Sequence, residues 1–394
     1  QVGTEFDIFI GRTPSRNEPR FWDKEGKTEN FWATIEDLRE PVVTFTKERV
    51  SDEGIKASHM KPVPAGTVLV SFKLTIGRVA IAGRPLYFNE AIAAFLPKPH
   101  CRFDRIFLFY VLHRFHHLAV QQNLIDPAVK GDTLNKQKIK RLLLPLPSLE
   151  EQKRIAGVLR LVDEIAEKTK RIISFYEKVK KYALNQLLTK GIGHSKFKQT
   201  EIGELPEEWE VVRVSEAHED ISASVGKVKK GQYKSSGKFP VIDQGAEFIG
   251  GFTDEERACF QLPVIVFGDH TRIFKFVDFP FVRGADGVKV LKPKPEFDAR
   301  FLYYALQNLQ LPTIGYQRHY SVLCDQKIPV PPLEEQKKIA ELLSALDRAI
   351  DNERRYLQGL EKLKKWMLDN LLTGKVRLPQ EIDKLLKEVF YDAF

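Results

Sequence analysis

Two stretches of the chain carry the same apolar rhythm. From Ile155, apolar residues recur at Leu159, Val162, Ala166, Ile173, Tyr176, Ala183 and Leu187, in alternating four- and three-residue steps broken by Thr169 and Lys180. From Ile339 the rhythm returns at Leu343, Leu346, Ile350, Leu357, Leu360, Met367 and Leu371, broken at the same two places by Glu353 and Lys364. Leu149 aligns with Leu333, and that offset of 184 holds without a gap to Thr189 and Thr373. Prolines precede each copy and forbid an earlier helix, so each copy predicts one long helix with an apolar seam. A helix with one such seam cannot bury it alone, and each is most simply the other's partner. A full module lies between the copies, so they can run antiparallel in a pseudo-twofold molecule with a module at either end, about 41 residues giving a spacer of about 60 Å. The alternative is that each helix packs on its own globular neighbour.

The segments around these helices have a different texture. Short β-branched and aromatic runs, such as Thr67 to Phe72 and Pro263 to Phe267, are punctuated by Gly, Pro and Asp, which predicts mixed α/β modules. Each closes with a helical stretch, Asp104 to Leu118 and Asp298 to Gln310. GTVLVSFKLTIGRVAIAG and LPVIVFGDHTRIFKFVDF, each followed by a Leu-Lys-Pro-like element, point to one architecture used twice with diverged loops.

Composition narrows the function. A chain of 394 residues is too long for one ordinary domain, and no apolar run reaches the eighteen residues of a membrane span. The first residues given lack the basic start, short apolar stretch and small-residue cleavage site of a signal peptide, and a cytoplasmic location is expected. Cys101, Cys259 and Cys324 lie far apart without metal or redox spacing and read as reduced thiols. A net charge of +9 with a pI near 9.2 suits a polyanion partner without proving one.

LPLPSLEEQKRIAGVL and IPVPPLEEQKKIAELL, the helix ends LNQLLTKGIGHSKFKQTEIGELPEEWEVVRV and LDNLLTGKVR, and the loop GRTPSR resemble the specificity subunit of type I restriction-modification systems. FPVIDQGAEFIGGFTDE, VIVFGDHTRIFKFVDFPFVRGADGVKVLKPKPEFD and RHYSVL in the second module resemble one version of that family's target-recognition domain. The resemblance spans almost the whole chain. It implies an α+β molecule in which two mixed α/β target-recognition domains are separated by two long antiparallel coiled-coil helices. The expected boundaries are a first recognition domain at 1–147, spacer helix at 148–190, linker at 191–201, second recognition domain at 202–331, second spacer helix at 332–374 and tail at 375–394. Each domain would read half of a bipartite site on double-stranded DNA. The helices would set the spacing and dock methyltransferase subunits, two of them, with restriction and translocase subunits in the full complex; Glu151, Gln152, Glu335 and Gln336 are the residues expected at that docking surface. No cofactor is implied for this chain. Two departures stand out. The chain does not begin with Met, and the counterpart of Ile202 to Val214 has no equivalent before Glu5, so the first module is expected to lack its opening strand. The tail, with EIDKLLKEVF, extends past the usual ending as an amphipathic helix for either the coiled coil or a partner.

Base edges require projecting donors on loops, whereas phosphates attract Lys and Arg from any direction. In the first module the candidates are Arg12 and Arg16, then Lys73, Thr75 and Arg78, with Gln121, Gln122, Asn123 and Lys130 behind them. In the second they are the lysine loop (Lys227, Lys229, Lys230, Lys234, Lys238), then His270, Arg272 and Lys275, then Gln317, Arg318, His319 and Tyr320. For any single one, a solvated surface charge is the plain alternative. Trp22, Phe31 and Trp32 could stack on bases, but core packing is the default for such residues. Glu150, Glu151, Glu334 and Glu335 stand in the first helical turn, where a carboxylate favours the helix dipole in any case.

His113, His116 and His117 have helical spacing but no third ligand, and read as a basic helix face rather than a metal site. No dinucleotide fingerprint, phosphate loop or amino-methylation motif occurs, so the chemistry is expected from a partner. Two other classes compete with a DNA-reading subunit. One is a coiled-coil scaffold with protein-binding heads, which salt would not dissociate from its ligand as steeply as it does DNA. The other is an enzyme with an unrecognised hydrolytic site, which DNA and metal ions would expose.

Overall fold

The computed structural model describes residues 1–126, 134–285, 287–311 and 319–389. It divides into two compact units that do not follow chain order. One comprises 1–168 with 357–394, the other 169–356. Each unit therefore holds one module together with part of both long helices.

The seam stripes form the two helices expected of them, Leu149–Leu187 and Leu333–Asn370. In the first unit Ile155, Leu159 and Val162 of the first helix share a core with Leu360, Met367 and Leu371 of the second. In the second unit Leu184 and Leu187 of the first helix meet Ile339 and Leu343 of the second. The start of one helix thus meets the end of the other, which is antiparallel pairing. The same clusters contain Phe107, Leu108 and Tyr110 in the first unit and Phe301, Leu302 and Tyr304 in the second. Both readings of the seam are therefore realised at once: it faces the partner helix and also the closing helix of the adjoining module.

The repeated defect at Lys180 and Lys364 has a physical reason. Lys180, which would leave a cation in an apolar seam, donates to Asp347 Oδ1 at 2.5 Å, and Asp347 Oδ2 accepts the Tyr304 hydroxyl at 2.6 Å. In the other unit Lys364 lies 2.5 Å from Asp163 Oδ1, whose Oδ2 accepts from the Tyr110 hydroxyl at 2.9 Å. Asp163 and Asp347 are repeat mates, as are Lys180 and Lys364, so the same triad is built twice with the helices exchanged. A charge pair placed inside a seam stabilises only the register in which it closes. Burial pushes both tyrosine hydroxyls up, and the neighbouring carboxylate adds to the shift, so both remain neutral donors.

The modules share a strand plan. In the first, a sheet runs Phe6–Ile10, Ile92–Pro97, Val68–Ser71, Val79–Ala82, Val42–Val43, antiparallel except for the last pair. In the second the order is His218–Asp220, Val288–Pro293, Val264–Gly268, Phe274–Val277, antiparallel throughout. A smaller sheet also repeats. Phe31–Ala33 lies between antiparallel Glu48–Arg49 and parallel Tyr87–Phe88, as Phe239–Ile242 lies between antiparallel Gly251–Thr253 and parallel Val282–Gly284. The fully buried runs Val68–Ser71 and Val264–Gly268 sit centrally in their sheets, as continuous apolar strands should.

Local expectations are refined in three places. The stretch 104–118 is two helices, Arg105–Leu112 and Phe115–Gln121, broken at His113 and Arg114. The stretch 191–201 is not a plain linker, because Phe197–Thr200 forms a hairpin with Gly203–Pro206. Glu210–Arg213 pairs with Lys327–Val330, whereas 143–146, the repeat mate of 327–330, has no strand partner among the described residues. There Gln122 brackets Leu143, accepting its N–H at 2.7 Å and donating to its carbonyl at 2.9 Å.

Candidate nucleic-acid interface

In the first module Arg12 is exposed, and its guanidinium donates to the Ser58 carbonyl at 3.0 Å. The Arg16 guanidinium carbon lies 3.9 Å from the centre of the Trp22 ring, and a double hydrogen bond to Glu48 raises its already high pKa. This arginine is spread on an aromatic shelf, half exposed. Trp22 in turn stands edge-on to Trp32, which is buried along with Phe31, so the aromatic group is chiefly core and support. Arg78 is largely turned inward, donating to the Ile35 carbonyl at 3.0 Å and to Glu36 at 3.1 Å.

Lys73, Leu74 and Thr75 occupy the tip of the hairpin between Val68–Ser71 and Val79–Ala82. Ser71 organises that tip: its hydroxyl donates to the Thr75 carbonyl at 2.5 Å and accepts from Arg78 N–H at 2.9 Å, while Gly77 N–H donates to the Ser71 carbonyl at 2.9 Å. Thr75 is exposed and Lys73 half-buried, its ammonium 5.4 Å from the Phe72 ring. Lys130 lies outside the described residues.

In the second module Lys227, Lys229, Lys230, Lys234 and Lys238 form an exposed cationic loop, in which Lys234 is tied to Asp254 at 2.7 Å. Arg272 holds the tip of the hairpin from Val264–Gly268 to Phe274–Val277 and donates to the Leu311 carbonyl at 3.1 Å. His270 is half-buried beside it, its N–H donating to Gln244 at 3.3 Å. Two expectations fail on burial. Lys275 is on the strand rather than the loop, 4% exposed, with its ammonium donating to the Asp243 and Glu247 carbonyls at 2.7 and 2.6 Å; burial pulls its pKa down and Asp243 opposes the shift. His319 is 3% exposed, its Nδ1 lying 3.0 Å from the Asp269 carbonyl. Both hold loops in place and present nothing to a duplex. Tyr320 is likewise inward, its hydroxyl 3.1 Å from His218 Nε2. Gln317 and Arg318 lie outside the described residues.

The four residues expected to dock a partner have internal roles. Gln152 and Gln336 are each 1% exposed. Gln152 accepts from Asp104 N–H at 2.8 Å and donates to the Arg102 and Pro147 carbonyls, both at 3.0 Å; Gln336 accepts from Asp298 N–H at 2.9 Å and donates to the Glu296 and Pro331 carbonyls at 3.1 and 2.9 Å. Asp104 and Asp298 are the N-caps of the modules' closing helices. Each amide therefore clamps a module's last helix to the start of a long helix, which corrects the docking expectation for both glutamines. Glu335 accepts from Ile192 N–H at 2.8 Å and from Trp209 Nε1 at 3.0 Å, with His194 Nε2 at 2.9 Å. Among the described residues Glu151 has a long pairing with Arg377, 3.7 Å away.

Residues not anticipated from sequence occupy the helix surfaces. Tyr182 and its repeat mate Trp366 are 68% and 50% exposed, and the mates Ile172 and Tyr356 are exposed too. Large apolar side chains left in water at matching places on both helices are not explained by the seam. The tail helix Ile382–Val389 packs on the first long helix, one of its two expected sites. Arg154, almost fully buried, makes two 2.8 Å hydrogen bonds to Asp383, and Leu386 fills the space over Gly157, where a Cβ would come within 2.8 Å of Leu386 Cδ1.

The pattern defined as the type I restriction modification DNA specificity domain matches twice, at residues 6–191 and 206–362. The chain belongs to that family. A Methanocaldococcus jannaschii protein provisionally named as the MjaX type I restriction enzyme specificity subunit is 32% identical over 77% of this chain and 76% of its own. The MjaVIII specificity subunit of the same organism is 30% identical over 68% of this chain and 70% of its own. The solved type I S subunit from M. genitalium has the same fold, with a TM-score of 0.61 at 17% identity over 94% of either chain. The duplicated family match falls on the duplicated modules and helices. Among the described residues no helix is long and apolar enough to cross a membrane.

Proposed function

We propose that this specificity subunit reads a bipartite site on double-stranded DNA, one half with each module, and performs no chemistry itself. The observation that carries this is the pair of modules with one strand plan and different loop chemistry: an arginine on an aromatic shelf and a compact hairpin tip in one, a lysine-rich loop and an arginine-tipped hairpin in the other. Loops that diverge on a shared scaffold are the natural means of reading two different sequences. Arg12, Arg16, Lys73 and Thr75 are the contacts in the first module; Lys229, Lys230, Lys234, His270 and Arg272 are those in the second, joined by Gln317 and Arg318 on sequence grounds alone. The helices fix the gap between half-sites. Tyr182 and its repeat mate Trp366 are the anchors for two methyltransferase subunits, because an exposed aromatic side chain repeated at the same place on both helices suits two copies of one partner. Restriction and translocase subunits complete the assembly in the cytoplasm.

The test is methylation sequencing of DNA modified by the complex reconstituted with its modification subunits. An interrupted site is expected, with affinity falling steeply as salt rises. A continuous site, or salt-indifferent binding, contradicts the proposal.

A further inference from the structure

The two hairpin tips share an unusual backbone feature. Leu74 in the first module has φ of 59° and Arg272 in the second has φ of 61°, at the turns joining equivalent strands. A left-handed residue costs an L-amino acid conformational energy that glycine would avoid, and such residues persist where the surroundings or a ligand require the side chain. Arg272 partly repays that cost by its hydrogen bond to Leu311. Leu74 makes no such return: it is 90% exposed. The tip beneath it is held by the Ser71 hydrogen bonds, so the leucine projects from a fixed base. Lys73 is its immediate neighbour in the chain. Arg78, at the base of the tip, is turned inward onto Glu36, and the exposed side chain of His116 lies beside the tip, its Cβ 3.7 Å from where a Cβ on Gly77 would stand.

Resting on the DNA-reading proposal above, we propose that Leu74 is a wedge that inserts between two base pairs of the half-site read by the first module, with Lys73 on the adjoining phosphate. A single exposed apolar side chain on a fixed base, with a lysine next to it, matches a base step, whose faces are apolar and whose flanking phosphates are anionic; proteins that kink DNA use leucine in this way. An apolar protein partner would be met by a broader apolar patch than one side chain. The wedge also gives the first module a means of specificity that makes no base-edge hydrogen bond, because flexible steps open more easily than stiff ones.

The experiment uses the chain assembled with its modification subunits and duplexes bearing its mapped site, with 2-aminopurine scanned through the half read by the first module. The wild-type complex is expected to raise the fluorescence at one step, reporting unstacking. Leu74→Ala should abolish that rise and weaken specific binding by about tenfold or more, with non-specific binding unchanged, and Leu74→Phe should retain the rise. A wild-type rise at no position, or one that survives Leu74→Ala, overturns the wedge while leaving DNA reading intact. Loss of subunit assembly in Leu74→Ala, with fluorescence per assembled complex unchanged, would also overturn it and assign the leucine to a protein contact. Absence of any sequence-specific binding by the wild-type complex would remove the underlying function as well.

Discussion

The starts of the two long helices are built alike at one residue and differently at the next. Gln152 and Gln336 make the same three hydrogen bonds to equivalent backbone groups. Glu335, one residue earlier, gathers Ile192, His194 and Trp209, whereas Glu151 reaches only Arg377 among the described residues. The helix face beyond diverges further. Arg154 and Gly157 are covered by the tail helix, while their repeat mates Lys338 and Glu341 are exposed. The duplication has therefore kept the joints between module and helix, where a buried amide has no substitute, and has let the surrounding surface drift to suit each unit.

Charges forced into the seam would break the comparison most severely. Leu159 and Leu343 are fully buried, so Leu159→Asp combined with Leu343→Asp should cost well over about 4 kcal/mol and abolish cooperative unfolding as well as partner assembly. Urea denaturation followed by circular dichroism checks this, and an unchanged midpoint would remove the seam from the account.

The amide clamps come next. Gln152→Ala and Gln336→Ala should each cost about 1–3 kcal/mol, because each strands a buried N–H and two carbonyls, and the two costs should be similar. A large inequality would show that the apparent equivalence of the joints is only geometric. The Lys–Asp–Tyr triads sharpen the point. Lys180→Asp or Asp347→Lys alone should destabilise by about 1–3 kcal/mol, and the exchanged pair should recover part of the loss in a double-mutant cycle; the same exchange at Lys364 and Asp163 should behave alike.

Much of this was legible in the sequence, for a physical reason. The seam, its partner and its antiparallel sense follow from periodicity and from the module between the copies, since an unburied apolar stripe has few alternatives. The repeated interruptions at Lys180 and Lys364 were visible too, and so were the repeated acids Asp163 and Asp347. Their pairing needed the closing helices to bring Tyr304 and Tyr110 into the seam, which no local pattern announces. The candidate site was less legible. Loop cations look alike in sequence, and only the fold separates exposed Lys229 and Lys230 from Lys275, whose strand turns it into the core. Gln152 and Gln336 are a repeated pair in the sequence, and repetition marks shared structure as readily as a shared partner.

The smallest expected effect is at the tail. Arg154 holds the Asp383 carboxyl below its usual pKa. A depressed acid stabilises above its unfolded pKa and loses that contribution as pH falls through the folded value. Amide exchange in 382–389 should therefore accelerate as pH drops below the ordinary aspartate range, after correction for intrinsic exchange, and Asp383→Asn should remove that dependence with little change in global stability.

The central claim is that each module reads its own half-site. Replacing residues 202–326 by the corresponding segment of a relative with a different target, and mapping the methylated DNA, tests it most directly. One half-site should be exchanged while the other half and the gap are retained. A change in both halves, or a single continuous site, would contradict the account.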